Sequence, residues 1–310
     1  MAERPQITER DRLRADLRAA LGAELEKARA VVADSERDPA ERVHSARKHL
    51  KRWRALERLL PAKTRAKLER EARTVRVVSR SLGTVRDPVA QARSWAELAR
   101  GLAGSDGAPA VTQLLDARVA QGAKPSRVQR RLRRAAPLLA RAAVRATQVL
   151  AAGAGADDGS RAFVALLRGL ARSYRKSRKQ LESALARPST EQLHALRRAT
   201  KAQQYQLQFL EPIWEKPLKA QRKQAERVTD KLGTERDLAA ITGLLRADTD
   251  AHPYAWFGLL QRLEQERARL SEQAFGSARF VFAERPRAFQ ERLARYLQAS
   301  VQARPAVTAE

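Results

Sequence analysis

One stretch near the N-terminus carries a histidine and a row of cations at spacings that suit anion binding. In VHSARKHLKRWRALERLLP, residues 43–61, these side chains recur three, four and seven residues apart, which places them on one face of an α-helix. Like charges at such spacings repel each other by about 0.2–0.5 kcal/mol per pair. An anion would relieve this repulsion, so the row is predicted to donate hydrogen bonds to phosphate groups. Its members are His44, Arg47, Lys48, Lys51, Arg54 and Arg58.

A second copy of this row lies further along the chain. In LHALRRATKAQQYQLQFLEP, His194 follows His44 by 150 residues, and Gly233 of KLGTERD follows Gly83 of SLGTVRD by the same 150 residues. A single basic row could be an ordinary solvated surface, but such a surface has no need to keep its histidine in both copies. The repeat therefore favours anion binding. The matching residues of the second row are His194, Arg197, Arg198 and Lys201.

The elements that carry these rows are predicted to be helices throughout. Ala, Leu, Arg and Glu dominate the sequence, and apolar residues recur at helical spacing, as in Val43, Ala46, Leu50, Trp53 and Leu56. The 150-residue interval predicts an internal duplication with a helical bundle in each half. The small, polar stretch at 151–160 separates the predicted halves, 1–150 and 159–305. Helices are predicted over about 8–32, 39–61, 68–82, 84–102, 111–120, 127–150, 161–186, 190–210, 216–232, 235–247, 254–273 and 276–300, the last interrupted near Pro286.

The repeated LGTxRD segments are predicted to form corners between helices. Glycine suits the left-handed position just past a helix end, and the following threonine with its aspartate resembles a capping box. Such a cap does not need the arginine, which stays open as an anion ligand or as a partner of the aspartate. The two corners contain Gly83, Thr84, Arg86 and Asp87, and Gly233, Thr234, Arg236 and Asp237.

Composition points to a binding protein for polyanions and offers little for catalysis. The chain has 62 Lys and Arg against 35 Asp and Glu, a net charge of +27, and no cysteine. Its four histidines form no metal-ligand spacing, and neither a Walker-type loop nor an E-x-E-x-K strand occurs. No metal, cofactor or enzymatic activity is therefore predicted. The charged N-terminus resembles no signal peptide, and no apolar run spans a membrane, so a soluble cytoplasmic protein is expected.

Two kinds of polyanion compete as partners. Proteins that bind single strands interleave cations with stacking aromatic residues, but aromatic residues make up only 5% of this chain and Trp53 falls on the apolar stripe. A ligand with phosphates and no bases therefore fits better. A nucleoid- or RNA-associated role remains the alternative, because the net charge alone would support it. A phosphohydrolase or kinase acting on polyphosphate is a third class, which the sequence does not favour.

The two histidine motifs, each followed by LGTxRD, resemble the signature regions of the CHAD family (conserved histidine α-helical domain) in its stand-alone form. The resemblance extends from the first helix to about residue 300. It implies two helical bundles related by a pseudo-twofold axis, with a basic cleft or pore at their junction. It also implies binding of inorganic polyphosphate and association with polyphosphate granules.

The resemblance assigns polyphosphate binding to both motifs, while charge counts favour the first. The second motif usually reads K-R-x-R-Y, but here Ala202 and Gln204 replace its two arginines. Residues 41–80 hold 14 basic and 4 acidic side chains, whereas residues 191–230 hold 8 and 5. The N-terminal copy is therefore expected to carry more of the affinity, supported by Arg73, Arg76 and Arg80 on the next helix. The family-matched residues are His44, Arg47, Lys48, Lys51, Arg54, His194, Arg197, Arg198, Lys201 and Tyr205.

Overall fold

A computed structural model describes residues 9–100, 107–122, 124–152, 159–247 and 256–302, and confirms an all-α fold. No strand occurs among these residues, and no helix among them is both long enough and apolar enough to cross a membrane. A 3₁₀ turn, Glu211–Ile213, joins two of the helices. The helices are α1 (Glu9–Ala33), α2 (Pro39–Glu57), α3 (Ala62–Lys67), α4 (Glu69–Ala99), α5 (Ala108–Gly122), α6 (Pro125–Ala152), α7 (Gly159–Ala186), α8 (Thr190–Leu210), α9 (Glu215–Ala247), α10 (Phe257–Val281) and α11 (Pro286–Gln302).

The helix that carries the first basic row begins where the sequence predicts. Asp38 is its N-cap, and the Asp38 carboxylate accepts hydrogen bonds from the main-chain N–H groups of Ala40 (2.9 Å) and Glu41 (3.0 Å). Pro39 occupies the first helical position, where its missing N–H costs nothing. Ser189 caps α8 in a similar way, by accepting from the Gln192 N–H at 3.3 Å. Local capping thus fixes the start of both motif helices.

The predicted corners at the LGTxRD segments are wrong. Gly83 and Gly233 lie inside α4 and α9, which continue through them without a break. The hydroxyls of Thr84 and Thr234 donate to carbonyls of the preceding turn, as threonine does within a helix, and cap nothing. Helix α10 likewise continues past its predicted end at residue 273. The helical structure is interrupted only at residues 282–285, before Pro286. The predicted loops at 101–109 and 151–160 fall largely on residues 101–106 and 153–158, and His252 also lies outside the described residues.

The predicted apolar stripes form one core that extends across both halves of the chain. Leu50 and Trp53 of α2 are fully buried, and so are Val75 of α4 and its partner at the 150-residue interval, Ala225 of α9. They belong to one cluster that draws residues from every helix except α3 and α5. A second cluster, around Trp95 and the ends of α4, α5, α9 and α10, extends this core at one side. Burial of these side chains is the main force that holds the helices together.

The most extensive contacts between the halves join a helix to its own counterpart. Helix α1 packs against α7, α2 against α8, and α4 against α9. In each pair the second helix follows the first by about 150 residues. A self-complementary interface of this kind is what a twofold axis produces. These three pairings are the ones that the predicted pseudo-twofold arrangement would produce.

Helix α7 approaches the end of α2 closely, because a glycine lies at the contact. A Cβ atom on Gly169 would lie 2.8 Å from the Cα atom of Leu59 and 2.9 Å from its carbonyl oxygen. Real Cβ atoms do not approach backbone so closely, so only glycine fits here. The contact brings α7 of the second half against the residues that follow Arg58 in the first half.

Candidate polyanion-binding face

The two motif helices pack directly against each other, so that their basic rows lie in one region. Ala55 of α2 forms a small buried cluster with Ala202 and Tyr205 of α8. The amide of Gln206 donates a 2.8 Å hydrogen bond to the Ala55 carbonyl in the same interface. The positive charge of Lys48 is close enough to Lys201 to lower its pKa, although burial of Lys201 is the larger cause. The structure therefore brings the two predicted rows together.

The ring of Tyr205, a predicted ligand residue, lies against two cations. Its ring is only 9% exposed. The Arg52 guanidinium lies 5.7 Å from the ring centroid and the Lys201 ammonium lies 5.4 Å from it. Both distances allow cation–π attraction. Tyr205 thus positions two basic groups rather than offering its own hydroxyl to solvent.

The first arginine of each motif fixes its helix against the next long helix of the same half. The Arg47 guanidinium donates to the Ser79 carbonyl at 2.7 Å, and the Arg197 guanidinium donates to the Thr229 carbonyl at 3.2 Å. Donor and acceptor are 32 residues apart in both cases, so the contact repeats at the 150-residue interval. Only 12% of the Arg47 side chain is exposed. These arginines, which were predicted as phosphate donors, therefore join each motif helix to the next long helix of its half.

The glycine follows the arginine at the same spacing in both halves, and the structure gives a physical reason for this. A Cβ atom on Gly83 would lie 2.4 Å from Nη1 of Arg47, and one on Gly233 would lie 3.2 Å from Nη2 of Arg197. The glycines therefore give each guanidinium room beside the helix backbone. They do not end a helix, which is why the corner prediction failed.

Replacing Gly83 by alanine is expected to destabilise the protein by about 1 kcal/mol. The gain in helix propensity, about 0.8–1.0 kcal/mol, is outweighed by the loss of the charged hydrogen bond of Arg47, about 1.5–3 kcal/mol. Gly243 is the matched control, since nothing lies within 4 Å of its Cβ position in α9. Gly243→Ala should stabilise the protein by up to about 1 kcal/mol. Urea unfolding of the two variants measures the difference, and equal stabilisation by both would contradict the proposed role of Gly83.

The aspartate after the first glycine connects the two halves. Asp87 of α4 accepts a 3.3 Å hydrogen bond from the Arg236 guanidinium of α9, and its carboxylate lies 3.7 Å from Nη2 of Arg47. Asp237 accepts a 3.3 Å hydrogen bond from the Ser94 hydroxyl, again between α9 and α4. Of the two roles left open for Arg236, the structure shows the aspartate partner. The side chain of Arg86 is outside the part of the chain that the structure describes.

Arginines from four helices meet beside the C-terminal end of α2 and form what we call the arginine cluster. Burial lowers the pKa of Arg54, and the nearby positive charges of Arg76 and Arg198 lower it further. The pKa of Arg58 is also lowered, first by burial and then by Arg54, Arg65 and Arg198. All of these guanidinium groups remain charged at neutral pH. The cluster consists of Arg54, Arg58, Arg65, Arg76 and Arg198.

Two glutamates balance only part of this charge. Glu57 accepts a 3.0 Å hydrogen bond from Arg65, and Glu69 accepts one of 2.7 Å from Arg76 while lying 4.0 Å from Arg73. Five other cations on or next to α2, α4 and α8 make no salt bridge within the described residues. These cations are Lys48, Arg54, Arg58, Arg80 and Arg198.

The corresponding region of the second half carries acids instead. Glu226 and Asp230 of α9 occupy the positions, 150 residues on, of Arg76 and Arg80 in α4. Both acids raise the pKa of Lys201 against the stronger lowering by burial, so they lie close to it. Gln204, the counterpart of Arg54, is buried and accepts a 3.3 Å hydrogen bond from Thr229. Charge is therefore concentrated on the first half, in the direction that the residue counts predict.

The histidines of the motifs differ in their surroundings. His44 lies on the exposed surface of α2, whereas His194 is partly buried. Burial, together with the positive charges of Arg236, Arg198 and Arg197, lowers the pKa of His194 to about 4. His194 is therefore neutral at pH 7 and can donate one N–H. In the part of the chain that is described, no group of three or more acidic or histidine side chains could hold a metal ion.

Sequence reasoning placed Arg54 and Arg58 in the basic row of α2 but left one member of the arginine cluster, Arg65, out. Arg65 lies on the short helix α3, and only its contact with Glu57 places it beside the row. No pattern in the sequence reveals that contact.

Comparison with known proteins agrees with the all-α fold. A family model for the CHAD domain matches residues 15–246, which is well over half of the chain. The crystal structure of the CHAD domain from the plant Ricinus communis is similar in fold, with a TM-score of 0.53 and 18% identity over 95% of this chain and 93% of that one. No curated protein matches the chain. On the strength of the matched family model, the chain belongs to the CHAD family.

Proposed function

We propose that this protein binds inorganic polyphosphate through the face formed by α2, α4 and α8, and that it acts by binding rather than by catalysis. The observation that carries the proposal is the arginine cluster, in which burial lowers the pKa of Arg54 and the nearby positive charges of Arg76 and Arg198, from two other helices, lower it further. Holding such charges together costs free energy in the absence of an anion. A chain of phosphate groups supplies many negative charges and fits a row of guanidinium forks.

Buried aromatic residues favour polyphosphate over nucleic acid. Of the four tryptophans, Trp53, Trp95 and Trp256 are at most 7% exposed. Trp214 is half exposed, but it packs edge-on against Tyr296 of α11, on another part of the fold. Tyr205 lies beneath cations instead of facing a ligand. Among the described residues the basic face thus offers no stacking platform for bases.

Granule association would follow from the same binding. A polyphosphate granule presents a high local density of phosphate chains, and a protein with a net charge of +27 and a dedicated face would be retained there. We propose this as the protein's site of action in the cell. Fluorescence microscopy of a tagged chain, in cells with and without polyphosphate, would test it.

Competition binding tests the central proposal. A fluorescent long-chain polyphosphate should bind the protein, and log K should fall linearly with log salt concentration, as it does for proteins that release counterions from nucleic acids. Unlabelled polyphosphate should displace the probe better than duplex DNA at equal phosphate concentration. Stronger displacement by DNA, or equal binding of sulfate, would overturn the proposal. Release of orthophosphate or formation of ATP with Mg²⁺ would show that the protein is instead an enzyme.

A further inference from the structure

A second concentration of positive charge lies away from the motif helices, in a groove where α5 meets α6. The groove encloses about 450 Å³. Seven residues line it, and five of them are cations, while the other two are the polar Gln121 and Ser126. No residue of α2 or α8 contributes to it. The five cations are Lys124, Arg127, Arg130, Arg131 and Arg134.

The charges in this groove are not balanced by acids. Within the described residues, Lys124, Arg127, Arg130 and Arg134 make no salt bridge, and no acidic residue lines the groove. Arg131 donates a 3.3 Å hydrogen bond to the Ser81 hydroxyl of α4, which holds one wall in place. The four arginines are three and four residues apart on one helix, so they repel one another.

The start of α6 adds to the attraction for an anion. The groove includes the first turn of α6, which has no acidic side chain, although acids are favoured at that position. The helix dipole therefore adds partial positive charge to that of the side chains at this end of the groove.

We propose that this groove binds a compact anion that carries several phosphate groups close together. Its volume is within the range of small-molecule sites. The lining has neither an aromatic nor an apolar side chain, so nothing in it would select a base or a hydrocarbon group. Two kinds of ligand share this chemistry, namely a short linear oligophosphate and a polyol esterified with several phosphates. None of the lining residues belongs to α2, α4 or α8, so this proposal does not depend on the polyphosphate-binding face.

Double charge-reversal variants test the groove and the polyphosphate-binding face independently. Tripolyphosphate and inositol hexakisphosphate are the probes, measured by isothermal titration calorimetry at a fixed salt concentration. We expect Arg127→Glu with Arg130→Glu to weaken binding of at least one probe by about tenfold or more, because two charged hydrogen-bond donors are lost. The matched control is Arg133→Glu with Arg141→Glu, which makes the same charge change on exposed positions of α6 outside the groove.

The outcomes decide both the site and its ligand. Loss of tripolyphosphate binding alone identifies a linear oligophosphate site, and loss of inositol hexakisphosphate binding alone identifies a phosphorylated polyol site. Equal losses in the groove variant and the α6 control would overturn the proposal, since net charge alone would then explain them. If the face variant, Arg54→Glu with Arg76→Glu, lost binding of both probes, that result would also overturn the proposal. Long-chain polyphosphate binding by the groove variant tests the face separately, and circular dichroism melting confirms that each variant is folded.

Discussion

Replacing Arg54 and Arg76 by glutamate is expected to lower the affinity for long-chain polyphosphate about a hundredfold at moderate salt. Each arginine removed takes away a charge-assisted hydrogen bond worth about 1.5–3 kcal/mol, and each glutamate added repels the ligand. Because Arg54, Arg76 and Arg198 already act on one another electrostatically, the effect should be concentrated at one point of the face. The slope of log K against log salt should also become shallower by about one to two. Fluorescence anisotropy over a salt series measures both quantities.

A control variant tests whether the change in net charge alone explains the loss of affinity. Arg262 and Arg279 are exposed on α10 and make no ion pair among the described residues. Arg262→Glu with Arg279→Glu therefore changes the net charge by the same amount at a distance from the motif helices. We expect this variant to lose no more than a few-fold in affinity. Equal losses in the two double variants would show that binding depends on overall charge and not on the arginine cluster.

Periodicity was sufficient to predict most helical segments and their buried faces. Every predicted core position of α2, from Val43 to Leu56, is buried, because a single amphipathic helix can satisfy its apolar stripe only against other helices. The start of α2 was also predictable, since Asp38 and Pro39 act within the local sequence. These features depend on neighbours a few residues apart, so the sequence contains them in full.

The continuous helices α4 and α9 could not be predicted in the same way. Glycine after a helical run normally indicates a helix end, and Gly83 and Gly233 fit that pattern. Their actual role depends on Arg47 and Arg197, which lie 36 residues earlier in the chain and reach the glycine only in the folded state. The structure shows a packing requirement that outweighs a local propensity. The repeat of both residues at one interval was the available signal, and it indicated importance without indicating the cause.

The unequal charge of the two faces was visible in the residue counts, but its arrangement was not. Counts cannot distinguish a cation that faces the ligand from one, such as Arg47, that holds two helices together. They also cannot show that Glu226 and Asp230 lie beside Lys201. The predicted duplication adds information, because at the 150-residue interval it pairs cations of α4 with acids of α9.

This correspondence leads to a prediction in the opposite direction, namely a gain of binding. Glu226→Arg with Asp230→Arg would give α9 the residues that α4 has in Arg76 and Arg80. We expect the affinity for long-chain polyphosphate to rise about tenfold or more, with a salt slope steeper by up to about two, because two repulsive charges become two phosphate donors. The same anisotropy series at several salt concentrations measures the gain.

The free energy of unfolding of this variant should fall while its affinity rises. A gain in affinity could then not be attributed to a more stable fold. Lys201 is partly buried and would lose the two acids that favour its charged form, so the unliganded variant should be less stable than the parent chain. Asp16→Arg with Glu272→Arg makes the same charge change at exposed positions of α1 and α10 and serves as the control. An equal gain in this control would mean that any added charge improves binding. A gain confined to Glu226 and Asp230 would instead show that the second half retains the geometry of a phosphate-binding face whose charges have been reversed.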